Sequence, residues 1–268
     1  MNDVRIALAT LHSPFGKTQQ NLERIISYAE EAARQNVKII CFPELSITGY
    51  GNGNAIFEKA VGIDGEITSI LSSCSRDYKI TILCGLAEKV SDNRIAATHL
   101  VVFPDGIIRK YRKLHLAPPE IDTYSSGSEI PVFESCGLKF GIQLCYDAHF
   151  PALSTQMALM GVDAIFMPHA SPRGTSEEKF NSWMRHLTAR AFDNGIFVAA
   201  VNQCGDNENG LMFPGLSIVI SPSGEVLKKD VTGSEGLLIA DLEKKDLDAV
   251  RSHRMRYFLP NRRTDLYK

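Results

Sequence analysis

Apolar residues in the first hundred positions fall into short blocks whose spacing switches between strand and helix. Val4 to Ala9 alternates weakly and predicts a first strand. Within Asn21 to Gln35, Leu22, Ile25, Ile26, Ala29 and Ala33 recur at helical spacing. Lys38 to Phe42 predicts a short buried strand stopped by Pro43, which leaves Glu44 at a strand's carboxyl end. Gly49 to Asn54 reads as a glycine-rich loop and Ile67 to Cys74 as a second helix. Ile80 to Ala87 and Ala96 to Phe103 predict strands, and the turn Pro104-Asp105-Gly106 returns the chain into Ile107 to Tyr111 as a hairpin.

The second half repeats this rhythm. Leu138 to Leu144 predicts a buried strand with Cys145 where it ends, followed by a helix from about Pro151 to Met160. Ala164 to Met167 predicts a strand stopped by Pro168. One long helix is expected from Glu177 to Asn194, closed by Gly195 at its C′ position. Ile196 to Asn202, Gly215 to Ser221 and Val226 to Lys229 read as strands, the last two joined by the turn Ser221-Pro222-Ser223-Gly224. Leu237 to Asp241 predicts a final strand and Lys244 to His253 a final helix. No linker or charge block divides the chain, so a single domain over residues 1–268 is expected. Strands that alternate with helices but also form hairpins imply an α/β fold of mixed sheets in layers.

Composition removes several function classes. With 44% hydrophobic and 22% charged residues the chain is ordinary for a globular protein. A formal net charge of −2 and no basic block argue against a nucleic-acid partner. No apolar run reaches the roughly 18–20 residues of a membrane span, and the opening MNDVRIALAT lacks signal-peptide character. The six cysteines (41, 74, 84, 136, 145 and 204) show no paired spacing. That argues against a disulfide framework and a zinc site, and for a reducing cytoplasm. His115, His149 and His169 lack metal-ligand spacing, so no metal is expected. A dinucleotide-binding reading fails because neither G-x-G-x-x-G nor G-x-x-x-x-G-K-[ST] is present.

Three apolar strands end beside a reactive side chain: Glu44 after KIICFP, Lys113 after IIRKYR and Cys145 after LKFGIQL. Strand ends on one edge of a sheet converge on one crevice. Taken singly each residue has a plain reading: a buried Cys, an exposed Glu, a solvated basic run. Taken together they suit a thiol hydrolase of amide-like carbon–nitrogen bonds. A thiol with a pKa of about 8.5 needs a base, a desolvated carboxylate can take and return its proton, and an ammonium can hold a tetrahedral oxyanion.

These segments resemble the nitrilase superfamily of carbon–nitrogen hydrolases over nearly the whole chain. The resemblance rests on CFPELSITGY, YRKLHL, GIQLCYDAHFP, RHLTARAFDNGIFVAAVNQCG, FPGLSIVISPSGEVL and RMRYFLPNRRTDLY. The three reactive residues keep their order, 69 (113 − 44) and 32 (145 − 113) positions apart. The resemblance implies a four-layer αββα sandwich of two mixed sheets. It makes Glu44 the general base and acid, Lys113 the oxyanion stabiliser, Cys145 the nucleophile of a thioester acyl-enzyme and Glu120 the glutamate that orients the lysine. The backbone N–H of Tyr146 becomes the second oxyanion donor, no cofactor is implied, and a homodimer or larger homo-oligomer is expected. A catalytically silent binding protein on the same fold is disfavoured by the joint presence of Glu44, Lys113, Glu120 and Cys145.

Two departures bear on substrate. His149-Phe150-Pro151-Ala152 stands where many members carry an Arg-Phe-Pro-Glu type run. Cys145-Tyr146-Asp147 stands where nitrile-cleaving members carry Cys-Trp-Glu. The second favours an amide or N-carbamoyl (ureido) small molecule over a nitrile. The segment PHASPRGTSEEKF is expected to form much of the pocket rim, with Arg173 a candidate clamp for a substrate carboxylate and His149 or His169 nearby. Trp183 is expected to pack the long helix or wall the pocket.

Overall fold

The computed structural model describes residues 1–266. Its first half runs β1 (Val4–Thr10), α1 (Thr18–Arg34), β2 (Ile39–Cys41), α2 (Gly53–Lys59), α3 (Glu66–Tyr78), β3 (Thr81–Ser91), β4 (Arg94–Val102) and β5 (Ile108–Arg112). Next come β6 (Phe133–Ser135), β7 (Leu138–Ile142), α4 (Pro151–Leu159), β8 (Ala164–His169), α5 (Ser176–Met184), α6 (Leu187–Asn194) and β9 (Phe197–Asn202). A short ribbon of β10 (Gly205–Asp206) and β11 (Met212–Phe213) leads into β12 (Gly215–Ile220), β13 (Val226–Gly233), β14 (Gly236–Leu242) and α7 (Lys244–Arg251).

Among the described residues there are two six-stranded mixed sheets, ordered β14-β1-β2-β3-β4-β5 and β13-β12-β9-β8-β7-β6. Each has a parallel centre (β1, β2, β3 in one and β7, β8, β9 in the other) flanked on both sides by antiparallel strands. The sheets face one another. Ile6 and Leu8 of β1 turn into the shared interior with Phe140, Phe166 and Val198, while Ala7 and Ala9 face outward onto Leu22, Ile25 and Ala29 of α1. A strand buried on both faces shows little alternation, which accounts for the weak pattern at Val4 to Ala9. Helices α1 and α3 cover one sheet, and α4, α5 and α6 cover the other. The result is the expected four-layer αββα sandwich.

Four local expectations change. The single helix from Glu177 to Asn194 is two, α5 and α6, broken at Arg185 and His186 (His186 φ −132°, ψ −37°). The amides of both residues bond three positions back, to Ser182 and Trp183, and the His186 ring stacks on His149 at 4.5 Å. Stacking and a tightened turn therefore outweigh helical continuity. Pro168 does not end β8, which continues to His169. Past Ile142 the strand has a partner only on the β9 side, so proline's missing donor costs little there. β7 ends at Ile142 and not at Cys145, and the glycine-rich segment starts α2 at Gly53.

Candidate active site

The backbone brings four chain segments to one edge of the sandwich. After β2, the turn at Glu44 and Leu45 (φ +55° at Leu45) folds back over β3. The approach is so close that a Cβ on Gly85 would lie 2.4 Å from the Leu45 nitrogen. After β5, Lys113 stays in register, its N–H donating to Ala97 at 2.9 Å. After β7, Cys145 opens a 3₁₀ turn (Cys145–His149) with φ +45°. A non-glycine residue there stores roughly 1–3 kcal/mol of backbone strain, which a surrounding network must hold.

Asp147 supplies that network. Its buried carboxylate accepts from the Leu144 amide at 3.0 Å, the Tyr111 hydroxyl at 2.7 Å and the His115 amide at 2.8 Å, and it meets the His115 ring at 2.8 Å. Every contact fixes the loop that carries Cys145. Its other side is held by Arg190, which donates to the carbonyl of Ala148 at 3.0 Å.

At the centre is a buried charged cluster. The Lys113 ammonium donates to Glu44 Oε1 at 2.8 Å and to Glu120 Oε1 at 2.9 Å, and the three side chains are almost wholly removed from solvent. Glu120 ends a 3₁₀ turn (Pro118–Glu120) and also accepts from the Ala117 amide at 2.8 Å and the Tyr50 hydroxyl at 3.2 Å. Glu44 Oε2 accepts from the Ala170 amide at 3.1 Å, just beyond the end of β8, and the same amide faces the sulfur of half-buried Cys145. Gln203 fixes the Glu44 backbone through its carbonyl at 2.7 Å.

Electrostatics give these groups distinct proton affinities. Burial pushes the Glu44 carboxyl up to about 7, with Lys113 acting against the shift and Glu120 adding to it. Burial, followed by the Glu44 charge, pushes the Cys145 thiol well above its ordinary value. Burial alone would lower the Lys113 ammonium, but Glu44, Cys145 and Glu120 more than offset it and hold it protonated. A thiol that keeps its proton therefore sits beside a carboxylate able to take one near neutral pH, under a fixed positive charge. The arrangement can move a proton from sulfur to Glu44 and hold an oxyanion at Lys113.

Other residues singled out from the sequence stand around this cluster. Tyr146 is half-buried and meets His149 and Phe150 edge-on at 5.6 and 5.5 Å. His149 is exposed and stacks on His186; His169 is buried, packs on Trp183 at 4.4 Å and gives its Nδ1 proton to the Met167 carbonyl at 2.8 Å. Burial lowers all three histidines, His186 to about 4. Arg173 lies apart from them, exposed in the loop before α5 with φ +74°. Sequence reasoning missed Tyr50, Tyr111, Asp147 and Gln203. An acid two positions past Cys145 was a legible capping signal, whereas the other three carry none, because their partners come from distant segments. Among the described residues no group of three or more His, Cys, Asp or Glu is placed to hold a metal ion, and no helix is long and apolar enough to cross a membrane.

The carbon-nitrogen hydrolase family model matches residues 5–252. A probable nitrilase of Schizosaccharomyces pombe is 32% identical over 93% of this chain and 92% of its own length. The omega-amidase NIT2 of Homo sapiens is 30% identical over 100% of this chain and 98% of its own. Among solved structures, the amidase from Nesterenkonia sp. AN1 superposes with a TM-score of 0.85 at 28% identity, covering 98% of each chain. Its cysteine-to-alanine variant in complex with butyramide superposes at 0.81 and 26% identity, over 98% of this chain and 95% of the other. With that family model spanning nearly its whole length over this cluster of Glu44, Lys113 and Cys145, the chain belongs to the carbon-nitrogen hydrolase family.

Proposed function

We propose that this chain hydrolyses the carbon–nitrogen bond of a small amide through a thioester on Cys145. Glu44 acts as general base and acid, Lys113 as the oxyanion cation, and Glu120 as the group that positions Lys113. The observation that carries the reading is the buried contact of Lys113 with both carboxylates beside a protonated thiol. As sulfur attacks the amide carbon, Glu44 takes the thiol proton. The oxyanion is held by Lys113 Nζ and the Tyr146 N–H. Collapse breaks the carbon–nitrogen bond, Glu44 returns the proton to the leaving ammonia or amine, and a thioester remains. Water then attacks with Glu44 again as base, carboxylate product leaves, and the thiol regains its proton. Tyr146, His149 and His169 line the acyl side, and Arg173 in the loop before α5 is the outer cation that an anionic substrate would meet.

Cys-Tyr-Asp at positions 145–147 supports amides over nitriles, and N-carbamoyl compounds fit the same steps with carbon dioxide as a further product. The six free cysteines suit a reducing cytoplasm. Exposed Leu159 on α4, with Phe192 of α6 packed against Phe258, supports pairing of two copies, which light scattering would measure. The experiment for the reaction is ammonia release from ω-amides, aliphatic amides, N-carbamoyl amines, N-carbamoyl amino acids and nitriles. Release from amides that vanishes in Cys145→Ala supports the reading. Release from nitriles alone, or release that survives Cys145→Ala, overturns it.

A further inference from the structure

Each polar atom of Ser171, in the loop that follows β8, has a partner. Its N–H donates to Asn202 Oδ1 at 2.9 Å, its carbonyl accepts from Asn202 Nδ2 at 3.0 Å, and its hydroxyl accepts from the Lys179 ammonium at 2.8 Å. Asn202 is fully buried, and its Nδ2 also donates to the Pro214 carbonyl at 2.9 Å, so both donors and the acceptor of its side chain go to backbone. The parallel ladder between β8 and β9 ends at the pair His169 and Asn202. Beyond it the Asn202 side chain stands in for a strand and continues the ladder to Ser171. A buried amide with its groups satisfied in this way holds its partners rigidly.

What this bracing fixes is the residue in between. Ala170 lies between the last paired residue of β8 and the braced Ser171. It is buried, and its N–H donates to Glu44 Oε2 at 3.1 Å while facing the Cys145 sulfur. The acceptor is held from the same strand end, because Gln203, next to Asn202, donates to the Glu44 carbonyl at 2.7 Å. Two consecutive buried side chains therefore set both ends of one hydrogen bond, the amide through Asn202 and the backbone of the carboxylate through Gln203. Among charged groups, Glu44 faces Lys113, Glu120 and Cys145. The Ala170 N–H favours negative charge on Glu44 and on Cys145 alike, so it serves whichever of the two lacks the proton.

We propose that the Ala170 N–H is a shared donor of the reaction and that Asn202 is the residue that positions it. With Glu44 ionised, the N–H lies on Oε2. As the thiol proton passes from Sγ to Glu44, the negative charge passes from carboxylate to sulfur, and the same N–H turns to the thiolate. One proton moves, the net charge of the pair is unchanged and no co-reactant is needed. The inference rests on the amidase reading and deepens its first step.

The test deletes this N–H alone. L-lactic acid in place of Ala170, introduced by nonsense suppression, turns the amide between residues 169 and 170 into an ester and keeps the methyl group. Losing a hydrogen bond to a charged acceptor should move the limb of kcat/KM for butyramide that falls near pH 7 upward by about one pH unit. Alkylation of Cys145 by iodoacetamide, followed by mass spectrometry, should slow about tenfold at pH 7 and shift the same way, because it proceeds through the thiolate. Asn202→Ala should reproduce the upward shift and lower kcat with little change in KM. An ester variant that melts like the wild type, with limb and alkylation rate unmoved, overturns the shared donor. Asn202→Ala with a lower melting temperature but an unmoved limb overturns its positioning role. Failure of the amidase reading shows separately, as absent Cys145-dependent ammonia release, and the alkylation shift still reports on the Ala170 N–H.

Discussion

Glu44 is where burial and function meet at the scale of a single residue. Its carboxyl is raised by desolvation to about 7, so below that pH it is increasingly protonated and cannot accept the Cys145 proton. The expected outcome is a kcat/KM profile that falls as pH drops through about 7, as an apparent property of the coupled Glu44, Lys113 and Cys145 group. The nearby histidines do not explain such a limb, since His149, His169 and His186 are all pushed below their ordinary value. A profile flat from pH 5.5 to 8.5 would contradict this assignment. Glu120→Ala should lower kcat by roughly 10²–10³, the scale of a lost oxyanion contact, because Lys113 would then pivot toward Glu44 alone; steady-state kinetics on one amide would check it. Glu44, Lys113 and Cys145 stood out in the sequence because each follows a strand by one to three positions, and the fold brings their segments together. Tyr50 and Tyr111 did not, since their partners Glu120 and Asp147 lie 70 and 36 positions away.

At the scale of elements, close approach of backbones sets the site. The Glu44–Leu45 turn lies directly on β3 at Gly85, where any side chain would collide with the Leu45 nitrogen and, at 3.2 Å, the Glu44 carbonyl carbon. Gly85→Ala should therefore move Glu44 off Lys113. A thermal melt should show lower stability, and kcat should fall more than KM changes, because positioning of the base is lost. An unchanged kcat would show that the turn tolerates displacement. Strands buried on both faces and the P-D-G and S-P-S-G turns could be read from residue order alone. The break between α5 and α6 could not. Both helices carry acceptable periodicity, and the kink comes from His186 stacking on His149, a contact across 37 positions (186 − 149).

At the scale of the molecule, the outer hairpin that carries Lys113 is clamped by one carboxylate. Glu88 on β3 accepts from Thr98 on β4 at 2.7 Å, and from Lys110 at 2.9 Å and Arg112 at 2.7 Å on β5. Burial opposes its charge, but the hydrogen bonds from Arg112, Lys110 and Thr98 win and lower it to about 2. A depressed folded-state value contributes stability that is present above the unfolded value of about 4.3 and is lost as pH falls toward 2. Glu88→Gln should cost about 1–3 kcal/mol at pH 7, the scale of hydrogen bonds to charged groups. Urea denaturation should show that difference shrinking as pH falls from 5 toward 3; a difference independent of pH would contradict the assignment. The strand-helix rhythm repeated in the two halves was visible in residue order, but the face-to-face packing of the sheets was implied only by the family resemblance, because contacts such as Thr81 to Ser135 join residues 54 positions apart.

The most direct test of the account is mass spectrometry of protein quenched during turnover of an amide. An adduct of one acyl group on the peptide containing Cys145, increased when deacylation is slowed and absent in Cys145→Ala, is the predicted result. Ammonia release with no adduct at Cys145, persisting in Cys145→Ala, would contradict it.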